Sequence, residues 1–266
     1  MSFEIHHRDG HRLFLDPHAR DARAAVSEAV RRGVDLGGAA LADADLSGAD
    51  LERGKLAGAD LRRAKLRKAN VEDADLTGAD LSFADLDGSN LEDVVATRAN
   101  LEGATARGAN LEHAVLEGAD WRSGCLDGAN LEKARLRGAI LREASLRRVN
   151  LERADLEGIE GDGLAAEGAN LEHVNLRGAS LVGAQLAGSN LERADLQGVQ
   201  ADRCSFAGAN LERADLRRAR LCGADLREAN LERADVAELD LEGANLEGAN
   251  LEGVRGSPRT AVPGYR

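Results

Sequence analysis

Aromatic residues make up only 2% of this 266-residue chain, which holds one Trp, one Tyr and four Phe. A sandwich or doubly wound core of this length is built around more large rings than that, so neither architecture is expected. Proline is equally scarce, at three residues, and methionine occurs once. The three cysteines, Cys125, Cys204 and Cys222, are odd in number and dispersed, which argues against a disulfide framework. No run of eighteen apolar residues exists, and charges punctuate the first thirty residues. Neither a membrane-spanning helix nor a secretory signal is therefore expected, and a soluble, cytoplasmic protein follows as the reading.

What the chain has in abundance is a five-residue period. From Leu36 to Leu251 every fifth residue is Leu, Val, Phe or Trp, except Ala96, Ala106, Gly161, Ala166 and Ala201, and the series runs through 44 units without an insertion. Two residues before most of these positions stands a small residue, usually Ala, as at Ala59, Ala69, Ala109 and Ala209. Five matches neither the helical period of 3.6 nor the strand period of two, so the pattern marks a repeat architecture. A second period of twenty lies on the first: "ANLERAD" at 209 returns at 229. One large and one small apolar residue per five require a backbone that turns inward twice and outward three times per unit.

The unit A-D/N-L-x-x over residues 34–253 resembles the pentapeptide repeat family. The resemblance implies an all-β solenoid, a right-handed quadrilateral β-helix in which four units form one square coil of twenty residues. About eleven coils follow, stacked at roughly 4.8 Å into a rod about 50 Å long. Local departures read as compensated packing. Gly124 leaves room for the indole of Trp121, and the large and small roles are exchanged at Val94 and Ala96 and again at Leu164 and Ala166. In segment 159–168 Gly161 offers no side chain where leucine is expected, and a bulge or widened corner is predicted there.

Three domains are expected: a cap over 1–33, the repeat over 34–253 and a flexible tail over 254–266. In the cap, strands Phe3–His7 and His11–Leu15 are joined through Asp9-Gly10, and a helix runs from His18 or Asp21 to Arg32, stopped by Gly33. The tail holds two of the three prolines and no amphipathic period.

The search for chemistry yields no catalytic, cofactor or metal residues. His6, His7, His11 and His18 cluster without fixed metal-ligand spacing or a Cys partner, and are read as a solvated hairpin. His113 and His173 fall three coils apart, roughly 14 Å, too far to share an ion. The glycines follow the five-residue period rather than a strand-turn-helix phosphate loop. No catalytic triad is supported, and a convex surface offers no cleft, so the chain is read as not an enzyme.

The informative outward pattern recurs every twenty residues. Glu52, Glu72, Glu92, Glu112, Glu132, Glu152, Glu172, Glu192, Glu212, Glu232 and Glu252 follow successive leucine or valine positions, and from Asn70 to Asn250 each is preceded two residues earlier by Asn. This glutamate series is the candidate interaction face; duplication of a coil accounts for it equally well without selection for binding. The chain carries a net charge of −12, and positions 34–253 hold 26 basic against 42 acidic residues. Such a surface repels nucleic acid and fits a basic partner.

Two functions are compatible with this sequence. One is a structural or scaffold rod that binds a protein partner through flat charged faces. The other comes from the resemblance to the acidic pentapeptide repeat proteins of quinolone resistance and antibiotic self-protection: a mimic of duplex DNA acting on DNA gyrase and topoisomerase IV. Direct nucleic-acid binding and membrane association are not expected.

Overall fold

The computed structural model describes residues 2–260 and divides the chain into two compact units, Met1–Arg135 and Leu136–Arg266. Within each unit, single-residue parallel bridges join positions twenty apart, such as Asp60 to Asp80 in the first and Asn190 to Asn210 in the second. Twenty residues therefore make one four-sided coil. Residues 36–135 form five coils in the first unit, and 136–255 form six in the second.

One unit of five shows why the backbone closes. In Asn190-Leu191-Glu192-Arg193-Ala194 the Asn190 N–H donates to Ala169 O in the coil before, at 2.9 Å. Leu191 and Arg193 donate forward to Asn210 O and Glu212 O at 2.7 and 2.9 Å. Ala194 closes a turn onto Leu191 O at 3.0 Å. The one remaining N–H, that of Glu192, has no carbonyl in reach and is taken by the Asn190 side-chain Oδ1 at 3.3 Å. A backbone whose five donors all find acceptors satisfies the strongest demand on any ordered chain. The preference for Asp or Asn before the leucine is thus an Asx turn repeated around the coil.

The third residue after the Asx, such as Arg193, has positive φ in all 44 units, the requirement of a type II turn. Glycine takes half of these positions and other residues the other half. Inside, apart from the partly buried Ala44, the leucines and alanines from Leu36 to Leu239 are exposed by 4% or less.

Large side chains are accommodated by neighbours. A Cβ on Gly124 would lie 2.9 Å from Trp121 Cε3, so the missing methyl is the space the indole occupies. That indole is buried with its Nε1–H unbonded, a cost of about 1–3 kcal/mol offset by the area the ring buries. At Gly161 the expected bulge does not form. Leu164 N donates to Gly161 O at 3.1 Å, and the bridges Ile140–Glu160 and Ala165–Gln185 keep the register. The Leu164 side chain fills the space instead, its Cδ2 lying 2.5 Å from where a Gly161 Cβ would stand. The backbone bonds do not depend on the inward side chain, so an irregular core leaves the coil regular. A void of about 20 Å³ remains beside them, lined by Leu146, Leu164, Leu181 and neighbouring apolar residues.

At the start of the first unit, strand β1 (Phe3–His6) pairs antiparallel with β2 (Arg12–Asp16), and helix α1 (Ala22–Arg31) follows. Asp21 caps the helix by accepting from Ala24 N at 2.8 Å, and Gly33 leaves it at φ 70°. Ala25, Val26 and Ala29 are buried, and Ser27 Oγ accepts from Asp50 N at 3.1 Å. The hairpin seats on the first coil through Arg8 N to Gly38 O and Ala40 N to His6 O, at 3.0 and 2.7 Å. Hairpin and helix thus cover the first coil, whose strand edge is otherwise open.

In the second unit the stretch after Gly253 is not loose as far as Thr260. Arg255 bridges Asp235, Arg259 N donates to Leu239 O at 2.8 Å, and Thr260 Oγ1 accepts from Leu241 N at 2.9 Å. The two tail prolines concealed this, because the bonds are made by Arg255, Arg259 and Thr260, which carry no periodic pattern. The remainder of the expected tail, 261–266, lies outside the described residues.

The pairing of Gly161 with Leu164 can be tested by exchange. Leu164→Ala alone should cost about 2–5 kcal/mol by opening a cavity, and Gly161→Leu alone should also destabilise, by overpacking. The double variant restores the ordinary arrangement and should recover most of the loss in chemical denaturation. Strictly additive losses would contradict the packing described.

Candidate functional site

The glutamate series occupies the residue after the leucine, where the Asx turn holds the backbone. In the first unit Glu52, Glu72, Glu92, Glu112 and Glu132 share one side of successive coils; in the second Glu152, Glu172, Glu192, Glu212, Glu232 and Glu252 do so. These side chains do not stand free. All but Glu252 are half-buried, with side-chain exposure of 40% at Glu52 and 24% at Glu212.

Two sets of bonds hold them. The asparagines stack: Asn190 Nδ2 donates to Asn170 Oδ1 at 3.4 Å, Asn210 to Asn190 at 3.0 Å and Asn230 to Asn210 at 3.0 Å, and the first unit repeats this from Asn70 to Asn130. Each amide thereby uses its oxygen both for the Asx turn and for the next amide. In the first unit the ladder also grips the carboxylates, with Asn90 Nδ2 donating to Glu72 Oε2 at 2.9 Å and Asn110 to Glu92 at 3.1 Å. The second set is ionic. Arg153–Glu152, Arg193–Glu192, Arg213–Glu212 and Arg233–Glu232 pair at 2.6, 3.7, 3.5 and 3.3 Å, and His173 lies 3.7 Å from Glu172. In the second unit, then, this side presents alternating charge rather than a negative stripe. Acid is less compensated in the first, where Asp73 and Asp93 follow Glu72 and Glu92 in the positions that arginine takes elsewhere.

Where Asp replaces Asn before the leucine it has no amide to donate, and arginine two residues later takes its outer edge. Arg62–Asp60, Arg122–Asp120 and Arg227–Asp225 are such pairs, at 2.6, 2.6 and 2.7 Å. The Arg62 guanidinium holds the Asp60 carboxyl below its ordinary value, Arg227 does the same for Asp225, and Arg63 for Asp43.

Phe83 is a residue that sequence reasoning passed over. It is 62% exposed, at φ 58°, and its ring covers Gly103 so closely that a Cβ there would meet Cε1 at 2.5 Å. Its signal in the sequence is an aromatic at the turn position that glycine or a charged residue otherwise fills. A bulky side chain in the left-handed region is strained, and an exposed aromatic among charges is the composition of a contact anchor.

Among the described residues, donor atoms within 4.8 Å of one another occur in three groups: Glu92, Asp93 and His113; Cys222, Asp240 and Glu242; and His7, Asp9 and His11. His113 and His173 belong to different units, each beside its own glutamate. Burial pushes the Cys204 thiol far up, which leaves it an inert core residue.

Square coils of twenty residues, with Asx turns outside and leucine and alanine inside, define a class of β-solenoid repeat protein. The sequence signature of "Pentapeptide repeats" matches eight times, over 24–56, 32–67, 55–93, 96–123, 124–159, 169–206, 204–238 and 232–255. The chain belongs to the pentapeptide repeat family, and its fold is the right-handed quadrilateral β-helix. Among solved structures it is similar to HetL, a pentapeptide repeat protein involved in heterocyst differentiation regulation from the cyanobacterium Nostoc. The two are 33% identical over 72% of this chain and 86% of HetL, with a TM-score of 0.71. A thylakoid-lumen pentapeptide repeat protein of Arabidopsis thaliana is 25% identical over 35% of this chain and 66% of its own, with a TM-score of 0.35. QnrB1, a plasmid-mediated fluoroquinolone resistance protein, is 20% identical over 69% of this chain and 91% of its own, with a TM-score of 0.30. No curated protein matches the chain.

The lowered carboxyls set an acid limit on stability. A folded-state value below the unfolded one contributes stability above the unfolded value, about 3.9 for Asp, and that contribution is lost as pH falls through the folded value. Thermal midpoints should therefore stay level from pH 7 to about 5 and drop below about 4, with a smaller drop in Arg62→Gln. A decline that begins near pH 6 would assign the limit to histidine instead.

Proposed function

We propose that this protein is a non-catalytic interaction protein that binds a protein partner through the flat, charged sides of its coils. The observation that carries the reading is the fixed placement of the outward charges. Asn110 bonds Glu92, Arg153 bonds Glu152 and Arg62 bonds Asp60, so each carboxylate is oriented before any partner arrives. Ordering long side chains on binding costs about 0.5–1.5 kcal/mol each, and a surface that is already ordered avoids much of that cost. Phe83 supplies an apolar anchor within a charged surround. The enclosed void of about 20 Å³ holds one water at most, which makes it no substrate site. HetL, to which the chain is similar, is involved in heterocyst differentiation regulation, a kind of role that an interaction protein can serve.

The acidic excess over positions 34–253 favours a second reading, mimicry of DNA towards gyrase or topoisomerase IV. The arginine and histidine beside the second-unit glutamates weaken that reading for this side, because duplex DNA offers no alternating cations.

The test is a purified partner, recovered by cross-linking from the native source, titrated against wild type, against Glu192→Lys/Glu212→Lys/Glu232→Lys and against Phe83→Ala. The triple variant or Phe83→Ala should weaken binding at least about tenfold while leaving the circular dichroism spectrum unchanged, and wild-type affinity should fall as salt rises. Binding that ignores both variants and salt would overturn the proposal. In parallel, inhibition or drug protection of gyrase supercoiling at micromolar protein would favour the second reading.

A further inference from the structure

We propose that His7, Asp9 and His11 at the tip of the amino-terminal hairpin form a binding site for one imidazole-preferring divalent cation, of the class of Zn²⁺ and Ni²⁺. The turn that joins β1 to β2 brings them together. His7 N donates to His11 O at 2.8 Å and Gly10 N to His7 O at 2.9 Å, closing a three-residue loop in which Gly10 takes φ 96°. Both imidazoles end on the same side of that loop, stacked with centroids 4.7 Å apart and planes 19° from parallel.

Their nitrogens converge on one atom. His7 Nδ1 is 2.9 Å and His11 Nδ1 2.6 Å from Asp9 Oδ1, and all three donors lie within 4.8 Å of one another. Donors that share a cation at about 2.0–2.1 Å stand roughly 3 Å apart, so only a small opening of the cluster is needed to admit one. Two features orient His7 for this. Its ring packs on the first coil, with Nε2 2.2 Å from where a Cβ on Gly38 would be, which turns Nδ1 toward Asp9. Asp9 N also lies 3.2 Å from His7 Nδ1, which keeps that nitrogen over the loop.

Two imidazole nitrogens and one carboxylate are the donor set of many zinc sites, and soft thiolate is absent from the group. The side chains of Asp9 and His11 are 62% and 59% exposed, so an ion would keep water in its remaining positions. Because Arg8 and His6 tie the same loop to Gly38 and Ala40, an occupied site would pin the cap on the first coil.

The test uses the full chain without a histidine tag, stripped of metal, and titrated with ZnCl₂ and with NiCl₂ by calorimetry at neutral pH. One equivalent of at least one of these ions should bind with a rise in the thermal midpoint, MgCl₂ and CaCl₂ should not compete, and His7→Gln, Asp9→Asn and His11→Gln should each weaken binding roughly tenfold or more. Because His11 is exposed, His11→Gln should keep the wild-type circular dichroism spectrum, so lost affinity reports a lost ligand. Absence of binding heat for both ions, or binding of equal strength in His7→Gln/His11→Gln, would overturn the site.

Discussion

A coil of single-residue bridges leaves one backbone donor per five residues without a carbonyl, and in most units a side-chain oxygen supplies the missing acceptor. In Asn210-Leu211-Glu212 the Asn210 Oδ1 takes the Glu212 N–H at 3.2 Å, and the same bond recurs from Asp35 in the first unit to Asn250 in the second. Where the residue before the leucine is Ser180 or Arg220, an acid from the coil before substitutes: Asp162 for Val182 N at 3.0 Å and Asp202 for Cys222 N at 3.2 Å. At these two positions the same donor is satisfied by a different residue, so the bond follows the orphan donor rather than the residue type.

Surface chemistry follows from how each coil meets that constraint. Asn keeps a free amide and builds a ladder, Asp keeps a free carboxylate edge and recruits arginine, and the residue after the leucine is held beside whichever was chosen. The outward charges are therefore tethered to the same bonds that close the backbone. A binding surface made this way is stiff, and its identity is carried by residues that the core repeat leaves free to vary.

The repeat was legible because its two inward positions are set by burial, so a five-residue period of Leu and Ala runs through the local exceptions; the square coil was what its resemblance to the pentapeptide repeat family implied. Trp121 with Gly124 was legible for the same reason, as matched volumes. Other features were hidden for physical reasons. Leu164 replaces the side chain that Gly161 lacks through a three-dimensional contact, which sequence shows only as an irregularity. The left-handed turn residue is invisible wherever it is not glycine, so Phe83 looked like one more outward position. On the glutamate face, sequence placed the acids but not their half-burial or the ladder that grips them. The histidines of the hairpin lacked recognisable ligand spacing, because it is the loop closed at Gly10, rather than a helix or strand period, that gathers them.

The Asx bond is most directly tested by amide hydrogen exchange in Asn210→Ala against wild type. The substitution removes the acceptor of Glu212 N–H and two ladder bonds, while Leu211 N keeps Asn230 O at 2.7 Å. The account predicts that Glu212 N–H loses at least about tenfold in protection, with Leu211 N–H much less affected and stability lowered by about 1–3 kcal/mol. Unchanged protection at Glu212 in a folded variant would contradict it.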